Sequence, residues 1–274
     1  MAAENAVKLC GDGEGITGWA CEMLAIISDI HGNLEALEAV LRMISADGVD
    51  EIWCLGDIVG YGPNPRECID LVERNCTLSL MGNHDWAVLN SPTGFNSVAA
   101  RMIYRTKEWL QVTENSSERE RHRREFLSEL SLQSIRGEFA LVHASPRAAL
   151  SEYVLPTDVD YDRGKLYDIF DMTEHFCVVG HTHVPCCITQ DLQLVLPKAK
   201  ESSIELGEKK AIINIGSVGQ PRDGDNRACY VTLDQAARLI TYHRVPYRTD
   251  RTVEKLGALG EGYEVLASRL LSGL

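Results

Sequence analysis

The chain has 274 residues, and its 27 Lys and Arg against 40 Asp and Glu give a formal charge of −13. This excess of acid argues against passive binding along a nucleic-acid backbone, which requires a basic face, but not against an enzyme that contacts phosphate through bound metal ions. Hydrophobic residues make up 45% of the chain, as in globular proteins, and since no run reaches about 18 apolar residues we expect no membrane span.

The chain is predicted to begin with a loose N-terminal extension, because residues 1–22 are rich in glycine and show no hydrophobic period. They also lack the apolar segment of a signal peptide. The globular domain is predicted to cover 23–274. Short apolar runs then alternate with amphipathic segments, which predicts strands over 23–28, 51–55 and 76–80 and helices over 34–43 and 65–74. This alternation is typical of parallel βαβ units.

The middle of the chain is predicted to be helical. Amphipathic patterns over 98–112 and 118–130 predict two helices, so residues 90–137 are predicted to form a helical insertion over one end of a sheet. The charge-dense stretch 118–125 within this insertion has two interpretations. It is either an exposed helix face with i,i+4 ion pairs or a basic lip beside a substrate.

The remainder of the chain is predicted to consist mainly of strands. A polar connection is predicted over 198–210 and one closing helix over 252–271. The predicted strands cover 139–143, 176–180, 186–189, 192–196, 211–215, 228–233 and 239–245.

The nine cysteines do not form a Cys-x-x-Cys pair, and their number is odd. We therefore predict reduced, buried thiols and a cytoplasmic protein rather than a disulfide framework. Adjacent Cys186 and Cys187 would point to opposite faces of a strand, so a metal shared between them is not expected.

Polar segments with potential metal ligands follow five of the apolar runs. Loops at the carboxyl ends of parallel strands converge on one crevice, so these segments are predicted to form one site. Carboxylate, imidazole and amide ligands, without thiolate, suit Mn, Fe, Zn or Ni. The segments are Asp29-Ile30-His31-Gly32-Asn33, Gly56-Asp57, Gly82-Asn83-His84-Asp85, His143 and Gly180-His181-Thr182-His183.

The ordered set DIHGN, GD, GNHD, a single histidine and GHTH resembles the calcineurin-like metallophosphoesterase superfamily, and in particular its bacterial predicted-phosphodiesterase type. Residues 55–72, 141–146 and 214–230 extend the resemblance, which covers nearly all of the chain from Met23 onward. It implies an α/β fold in the form of a four-layer αββα sandwich, in which two packed mixed sheets are flanked by helices.

The resemblance also implies a site with two divalent metal ions, of which Mn is preferred over Fe, Zn or Ni. His84 would face the substrate, and Asp85 would orient it, although Asp85 could instead be a helix N-cap. The first metal would be held by Asp29, His31 and His183, the second by Asn83, His143 and His181, and Asp57 would bridge the two.

The predicted reaction is hydrolysis of a phosphate ester by metal-bound hydroxide, with His84 protonating the leaving oxygen or stabilising phosphoryl charge. We predict a phosphodiesterase. The alternatives are a broad phosphomonoesterase, a non-catalytic scaffold with the same fold, and a nuclease.

Three further residues are candidates for substrate binding, namely Arg222, Tyr61 and Asn64, although Arg222 could instead pair with Asp223 as a structural clip. The expected partner is a small phosphoester, with a nucleotide as one option. Neither membrane association nor stable nucleic-acid binding is expected, and the oligomeric state is left open.

Overall fold

The computed structural model of the chain describes residues 23–49, 51–197 and 201–274. The predicted extension over 1–22 lies outside the described residues. Two six-stranded sheets form the centre of the fold. None of the helices in the described ranges is long and apolar enough to cross a membrane.

The first sheet begins with three parallel strands, and β1 then pairs antiparallel with β11. Its strands are β1 (Met23–Ile27), β2 (Glu51–Cys54), β3 (Leu78–Ser79), β9 (Glu201–Glu205), β11 (Ala228–Asp234) and β12 (Leu239–Val245), in the order β3-β2-β1-β11-β12-β9. The parallel part corresponds to the predicted βαβ units, and the antiparallel part makes the sheet mixed.

The second sheet is also mixed, since β5, β6 and β10 are parallel and the outer strands antiparallel. Its strands are β4 (Gln133–Arg136), β5 (Phe139–Val142), β6 (Phe176–Val179), β7 (Cys186–Thr189), β8 (Leu194–Val195) and β10 (Ala211–Asn214), in the order β4-β5-β6-β10-β7-β8.

Nine helices within the described ranges surround the sheets. Asn33 caps the first of them by accepting from the backbone N–H of Ala36, and Pro65 begins the second at a position where a missing N–H has no cost. The helices are α1 (Leu34–Ala46), α2 (Pro65–Asn75), α3 (Asn83–Leu89), α4 (Ser97–Trp109), α5 (Glu118–Glu129), α6 (Asp158–Tyr161), α7 (Arg163–Met172), α8 (Thr249–Gly257) and α9 (Glu264–Ser272).

The side chains of β1 show why the sheets stack as the middle layers of a sandwich. Successive residues of a strand point to opposite faces. Leu24 and Ile26 pack between the sheets, against residues such as Phe176 of β6, whereas Ala25 and Ile27 pack with the helices outside. Helix α7 covers the outer face of the second sheet in the same way. The predicted four-layer αββα sandwich is therefore confirmed.

The cysteines follow the same alternation. Cys186 packs with the outer helices and Cys187 between the sheets, as predicted. Seven cysteines lie in the described ranges, and all seven are free thiols, six of them buried. Cys10 and Cys21 lie outside the described residues.

Three sequence predictions about elements are wrong. The polar connection over 198–210 contains strand β9, which pairs with β12 through backbone hydrogen bonds that composition does not reveal. The single closing helix is two helices, because Gly260 and Gly262 adopt φ of +98° and +92°, which no helix tolerates. The insertion ends earlier than residue 137, since β4 belongs to the second sheet.

The charged helix α5 does not form the predicted i,i+4 pairs. Arg123 makes a bidentate ion pair with Asp70 of α2, at 2.8 and 2.7 Å, and Arg119 pairs with Asp70 and Glu73. The ion pairs therefore join α5 to α2, which fixes the insertion on the first sheet's helical layer.

Candidate metal centre

The loops that follow five strands meet at one edge of the two sheets. Asp29 and His31 follow β1, Asp57 follows β2, and Asn83 begins α3 after β3. The second sheet contributes His143 after β5 and His181 and His183 after β6. Backbone hydrogen bonds join the loops, for example from Asp29 N to Gly56 O and from Gly180 N to His143 O. All seven predicted ligand side chains therefore come together, although their role as metal ligands stays a prediction.

Five of these residues have a backbone conformation that side chains rarely adopt. Positive φ values between 51° and 62° occur at Asp29, His31, Asp57, His181 and His183. Such strain persists where the surroundings hold it, and it is concentrated at functional sites. Close packing of the loops contributes: a Cβ added to Gly56 would lie 2.4 Å from the backbone nitrogen of Gly82.

One group of ligand atoms forms around Asp29. The Nε2 atom of His183 lies 3.1 Å from Asp29 Oδ1 and 3.0 Å from His31 Nε2. His31 Nε2 in turn lies 3.8 Å from Asp29 Oδ1. All three side chains are buried. Three donor atoms at such separations surround a space that one cation fits.

A second group forms on the other side of Asp57. Asp57 Oδ2 lies 3.4 Å from His143 Nε2 and 3.6 Å from His31 Nε2, so this carboxylate faces both groups. His143 Nε2 is 3.1 Å from Asn83 Oδ1. The donor atoms of His181, Asp57 and His143 also lie within 4.8 Å of one another.

Backbone carbonyls set the protonation of three histidine rings. Because a carbonyl only accepts, the facing Nδ1 atom must carry the hydrogen. His31 donates to Val59 O at 3.3 Å, His143 to Leu55 O at 2.9 Å and His183 to Gln220 O at 2.5 Å. In the neutral form, each ring therefore turns an Nε2 lone pair toward the centre, which is the arrangement of metal-ligating histidines.

Electrostatics favour anionic carboxylates at the centre. Burial raises the pKa of Asp29 and of Asp57, but the neighbouring histidines, His183 and His143 respectively, outweigh it and lower both. Burial and the proximity of His143 lower the pKa of His181 to about 3. Burial lowers the pKa of His143 as well, but Asp57 and Asp29 outweigh it and raise this pKa to about 9.

Two unpartnered buried atoms test whether cations fit. Asp29 Oδ1 and His181 Nε2 make no hydrogen bond to any described residue. A buried polar atom without a partner is costly, and one cation in each group of donor atoms would satisfy these two atoms. The donor set of oxygen and imidazole nitrogen suits first-row divalent ions. The residues therefore fit two such cations.

His84 lies at the mouth of the centre. Its backbone N–H donates to Asp57 Oδ1 at 2.8 Å, and its ring packs against Tyr61 and Phe95 at centroid distances of 4.6 and 4.9 Å. The Nδ1 atom is buried without a partner among the described residues, against Gly60. Burial lowers the pKa of His84 to about 4, and Asp57 opposes this shift.

Asp85 does not orient His84 through a hydrogen bond, contrary to the role that the resemblance implies. Its carboxylate accepts from the backbone N–H groups of Gly82, Ile58 and Val59, at 3.0, 3.3 and 3.0 Å. It therefore caps α3 and ties the loop of Asp57 to the loop of Asn83. Burial and the charge of Asp57 raise the pKa of Asp85 to about 7.

A cavity of about 490 Å³ opens onto the centre. Tyr61 and Arg222, two of the three predicted substrate-binding residues, line it, and their role in binding stays a prediction. Asn64 does not line it; its side chain accepts from Lys255 Nζ at 2.7 Å. The sequence analysis missed Phe95 and Tyr153, whose ring lies 4.3 Å from that of His181. Both aromatics lie in loops, without a periodic pattern to mark them.

Arg222 is not a clip for Asp223. Its guanidinium lies 5.7 Å from the centre of the Tyr61 ring and donates to Gln220 Oε1 at 3.0 Å. Asp223 pairs instead with Arg244, whose side chain is only 2% exposed. Arg222 is thereby free to face the cavity.

The ion pair between Asp223 and Arg244 is predicted to contribute to the stability of the fold. Replacing Asp223 with alanine leaves the buried Arg244 without its nearest carboxylate, so the free energy of unfolding should fall by about 3 kcal/mol, the lower end of the range for broken buried ion pairs. Urea denaturation measures this change. Asp250→Ala, which breaks an exposed pair with Arg248, is the matched control and should leave the midpoint unchanged. Equal midpoints for the two variants would contradict the assignment.

Comparison with known proteins identifies the family of this fold. The model of the calcineurin-like phosphoesterase superfamily domain matches residues 23–238, which include all seven predicted ligands. The chain belongs to the calcineurin-like phosphoesterase superfamily. Members use a centre of two divalent metal ions, and the chain is accordingly a phosphoester hydrolase.

Relatives agree with this membership. The chain is 41% identical to an uncharacterised protein of Methanocaldococcus jannaschii over 243 residues, which cover 85% of this chain and 91% of that protein. A metallophosphoesterase structure from Sphaerobacter thermophilus has a TM-score of 0.78 and 39% identity, and the match covers 93% of this chain and all of that one.

A shorter stretch of the chain is similar to a phosphatase whose name states its substrate. A symmetrical bis(5'-nucleosyl)-tetraphosphatase of Actinobacillus pleuropneumoniae is 32% identical over 76 residues, which cover 27% of this chain and 28% of that protein.

Proposed function

We propose that this calcineurin-like phosphoesterase is a phosphodiesterase that works with two divalent cations. The observation that carries the proposal is the convergence of seven side chains from both sheets around Asp57, with Asp29 Oδ1 and His181 Nε2 left unpartnered among the described residues. Buried polar atoms without a partner carry a free-energy cost, which bound cations at these two positions would remove.

The residue assignments follow from the two groups of donor atoms. Asp57 would contact both cations, because its Oδ2 atom faces His31 and His143. Asp29, His31 and His183 would hold one cation, and Asn83, His143 and His181 the other. Oxygen and imidazole donors support Mn, Fe, Zn or Ni, and we keep Mn as the first candidate.

When bound, two cations would supply a polarised phosphoryl group and a nucleophilic water at neutral pH. The water oxygen forms a bond to phosphorus, the bond from phosphorus to the ester oxygen breaks, and one proton reaches the leaving oxygen. His84 would donate a hydrogen bond to the phosphoryl or leaving oxygen, and Arg222, which lines the same cavity, would orient the phosphate.

The charge of the cavity supports a diester substrate. Arg222 is the only Lys or Arg among the described residues that line the cavity. A phosphodiester carries one negative charge and a monoester close to two, so a single arginine suits the diester better. Tyr61, Phe95 and Tyr153 add aromatic surface for an organic group on the phosphate.

A dinucleoside polyphosphate is a second candidate substrate. The local similarity to a bis(5'-nucleosyl)-tetraphosphatase favours it. A small phosphoester is the proposed partner in either case. We also propose that the protein works in the cytoplasm, which the seven free thiols among the described cysteines support.

Metal removal and reloading test the proposal. Chelation of the purified full-length protein should lower turnover of bis-p-nitrophenyl phosphate by at least about 10²-fold, since the cations supply several kcal/mol of stabilisation, and reloading with Mn, Fe, Zn or Ni should restore it. The diester should have a higher kcat/KM than p-nitrophenyl phosphate.

Two results would contradict the proposal. A strong preference for the monoester in every metal would make the protein a phosphomonoesterase. Bound metal without turnover of either ester would indicate a non-catalytic scaffold.

A further inference from the structure

A second and larger depression lies directly beside the metal-centre cavity. Its volume is about 820 Å³, and we call it the side groove. Trp86 and Leu150 line both depressions, so the two adjoin at these side chains. Arg121, Arg124 and Glu125 of α5 also line the side groove. The side groove is therefore the neighbouring surface for a part of a substrate that projects from the metal centre past Trp86.

The arginines of α5 are divided between two faces of the helix. Arg119 and Arg123 point to α2, where Asp70 and Glu73 neutralise them. Arg121 and Arg124 are three residues apart and therefore share another face, which borders the side groove. The insertion thus places two positively charged side chains beside the metal centre, in a chain whose overall charge is −13.

The two groove arginines differ in what they contact. Arg121 donates to the carbonyl oxygens of Thr113 and Ser116, so it also holds the turn before α5. Arg124 makes no hydrogen bond or ion pair with any residue that the structure describes. Among the described residues that line the groove, Glu125 is the one acid, and it lies 3.9 Å from His122. The groove therefore keeps a net positive charge.

Trp86 forms the floor at the junction of the two depressions. It follows Asp85 directly, and its side chain is 39% exposed. An indole of this kind provides a flat surface on which a nucleotide base can stack, as in proteins that bind single strands. The junction thus offers an aromatic platform between the metal centre and Arg124.

We propose that the side groove binds the remote part of a nucleotide phosphodiester that carries a second phosphate, with one base on Trp86 and the second phosphate paired with Arg124. This inference rests on the proposed phosphodiesterase activity, which it makes more specific. In this arrangement the scissile phosphodiester lies near Arg222 in the metal-centre cavity. The negative charge of the second phosphate lies near Arg124 in the side groove.

A pair of dinucleotides tests the proposal. The dinucleotide pApA has a terminal phosphate, and ApA lacks it. The metal-loaded wild-type protein should favour pApA by about tenfold in kcat/KM, which corresponds to one charge-assisted contact. Arg124→Ala should lose this preference, and Arg124→Lys should keep part of it. Arg42→Ala, which removes an exposed arginine of α1, should retain all of it. The preference should also shrink as salt increases.

A binding measurement separates this inference from the proposed function. In the metal-loaded His84→Ala protein, where turnover is slow, titration calorimetry should give a lower Kd for pApA than for ApA, again by about tenfold. Equal Kd values for pApA and ApA, or a preference for pApA that survives Arg124→Ala, would disprove that Arg124 in the side groove binds the second phosphate. Suppose that pApA binds more tightly than ApA but the wild type does not turn over bis-p-nitrophenyl phosphate. This result would support phosphate binding in the side groove and disprove the proposed phosphodiesterase activity.

Discussion

Asp57→Ala is expected to lose bound metal and to lower turnover by roughly 10³-fold or more, since several kcal/mol of cation-derived stabilisation disappear with the metal. The side chain is buried, and its Oδ2 atom is the donor that faces both histidine groups, 3.6 Å from His31 Nε2 and 3.4 Å from His143 Nε2. Alanine offers no donor to either cation. Metal content by mass spectrometry and kcat on a diester measure the two effects.

The change at Asp57 also affects the loop of His84. Asp57 Oδ1 accepts the backbone N–H of His84, so alanine removes that contact as well. Asp168→Ala is a suitable control, because it removes one exposed carboxylate, paired with Arg147, and should leave metal content at the wild-type level. Two metal ions per chain in Asp57→Ala, at wild-type affinity, would disprove the bridging role.

His84→Ala is expected to lower kcat by about 10²–10³-fold while the metal content stays near that of the wild type. The ring lines the cavity beside Arg222, and its packing against Tyr61 and Phe95 fixes it there. In our assignment it contacts the substrate rather than a cation, so its loss removes a donor from the reacting phosphate only.

Paired measurements of turnover and metal content distinguish this role from a ligand role. His122→Ala provides the control, since His122 is exposed on α5 and pairs with Glu73. Wild-type turnover in His84→Ala, measured in one metal, would refute the role. A loss of metal that accompanies the loss of turnover would instead make His84 a ligand.

The position of the site could be predicted from the sequence because each ligand follows a strand. Asp29, Asp57 and Asn83 lie one βαβ step apart, and parallel strands bring such positions side by side. The histidines of the second sheet are equally marked by the apolar runs before them. The positive φ of Asp29 and its neighbours has no signal in the sequence, because it arises from contacts between loops.

Other features depend on contacts between distant parts of the chain. Strand β9 is polar and half exposed, and only its pairing with β12 makes it a strand. The sequence neighbour of Arg222 suggested an ion pair, but Asp223 is 21 residues from its actual partner, Arg244. Tyr153 and Phe95 reach the cavity from irregular loops, where hydrophobic periodicity gives no information.

The division of the centre between two sheets has a consequence for how its chemistry can be adjusted. Each sheet carries part of the ligand set, so the spacing of the donor atoms depends on how far apart the sheets stand. That separation is set by side chains such as Phe139, Phe176 and Trp53, which fill the interior far from any substrate. Substitutions that change the size of these interior side chains would therefore alter the spacing of the donor atoms, and with it the reaction, without replacing any ligand.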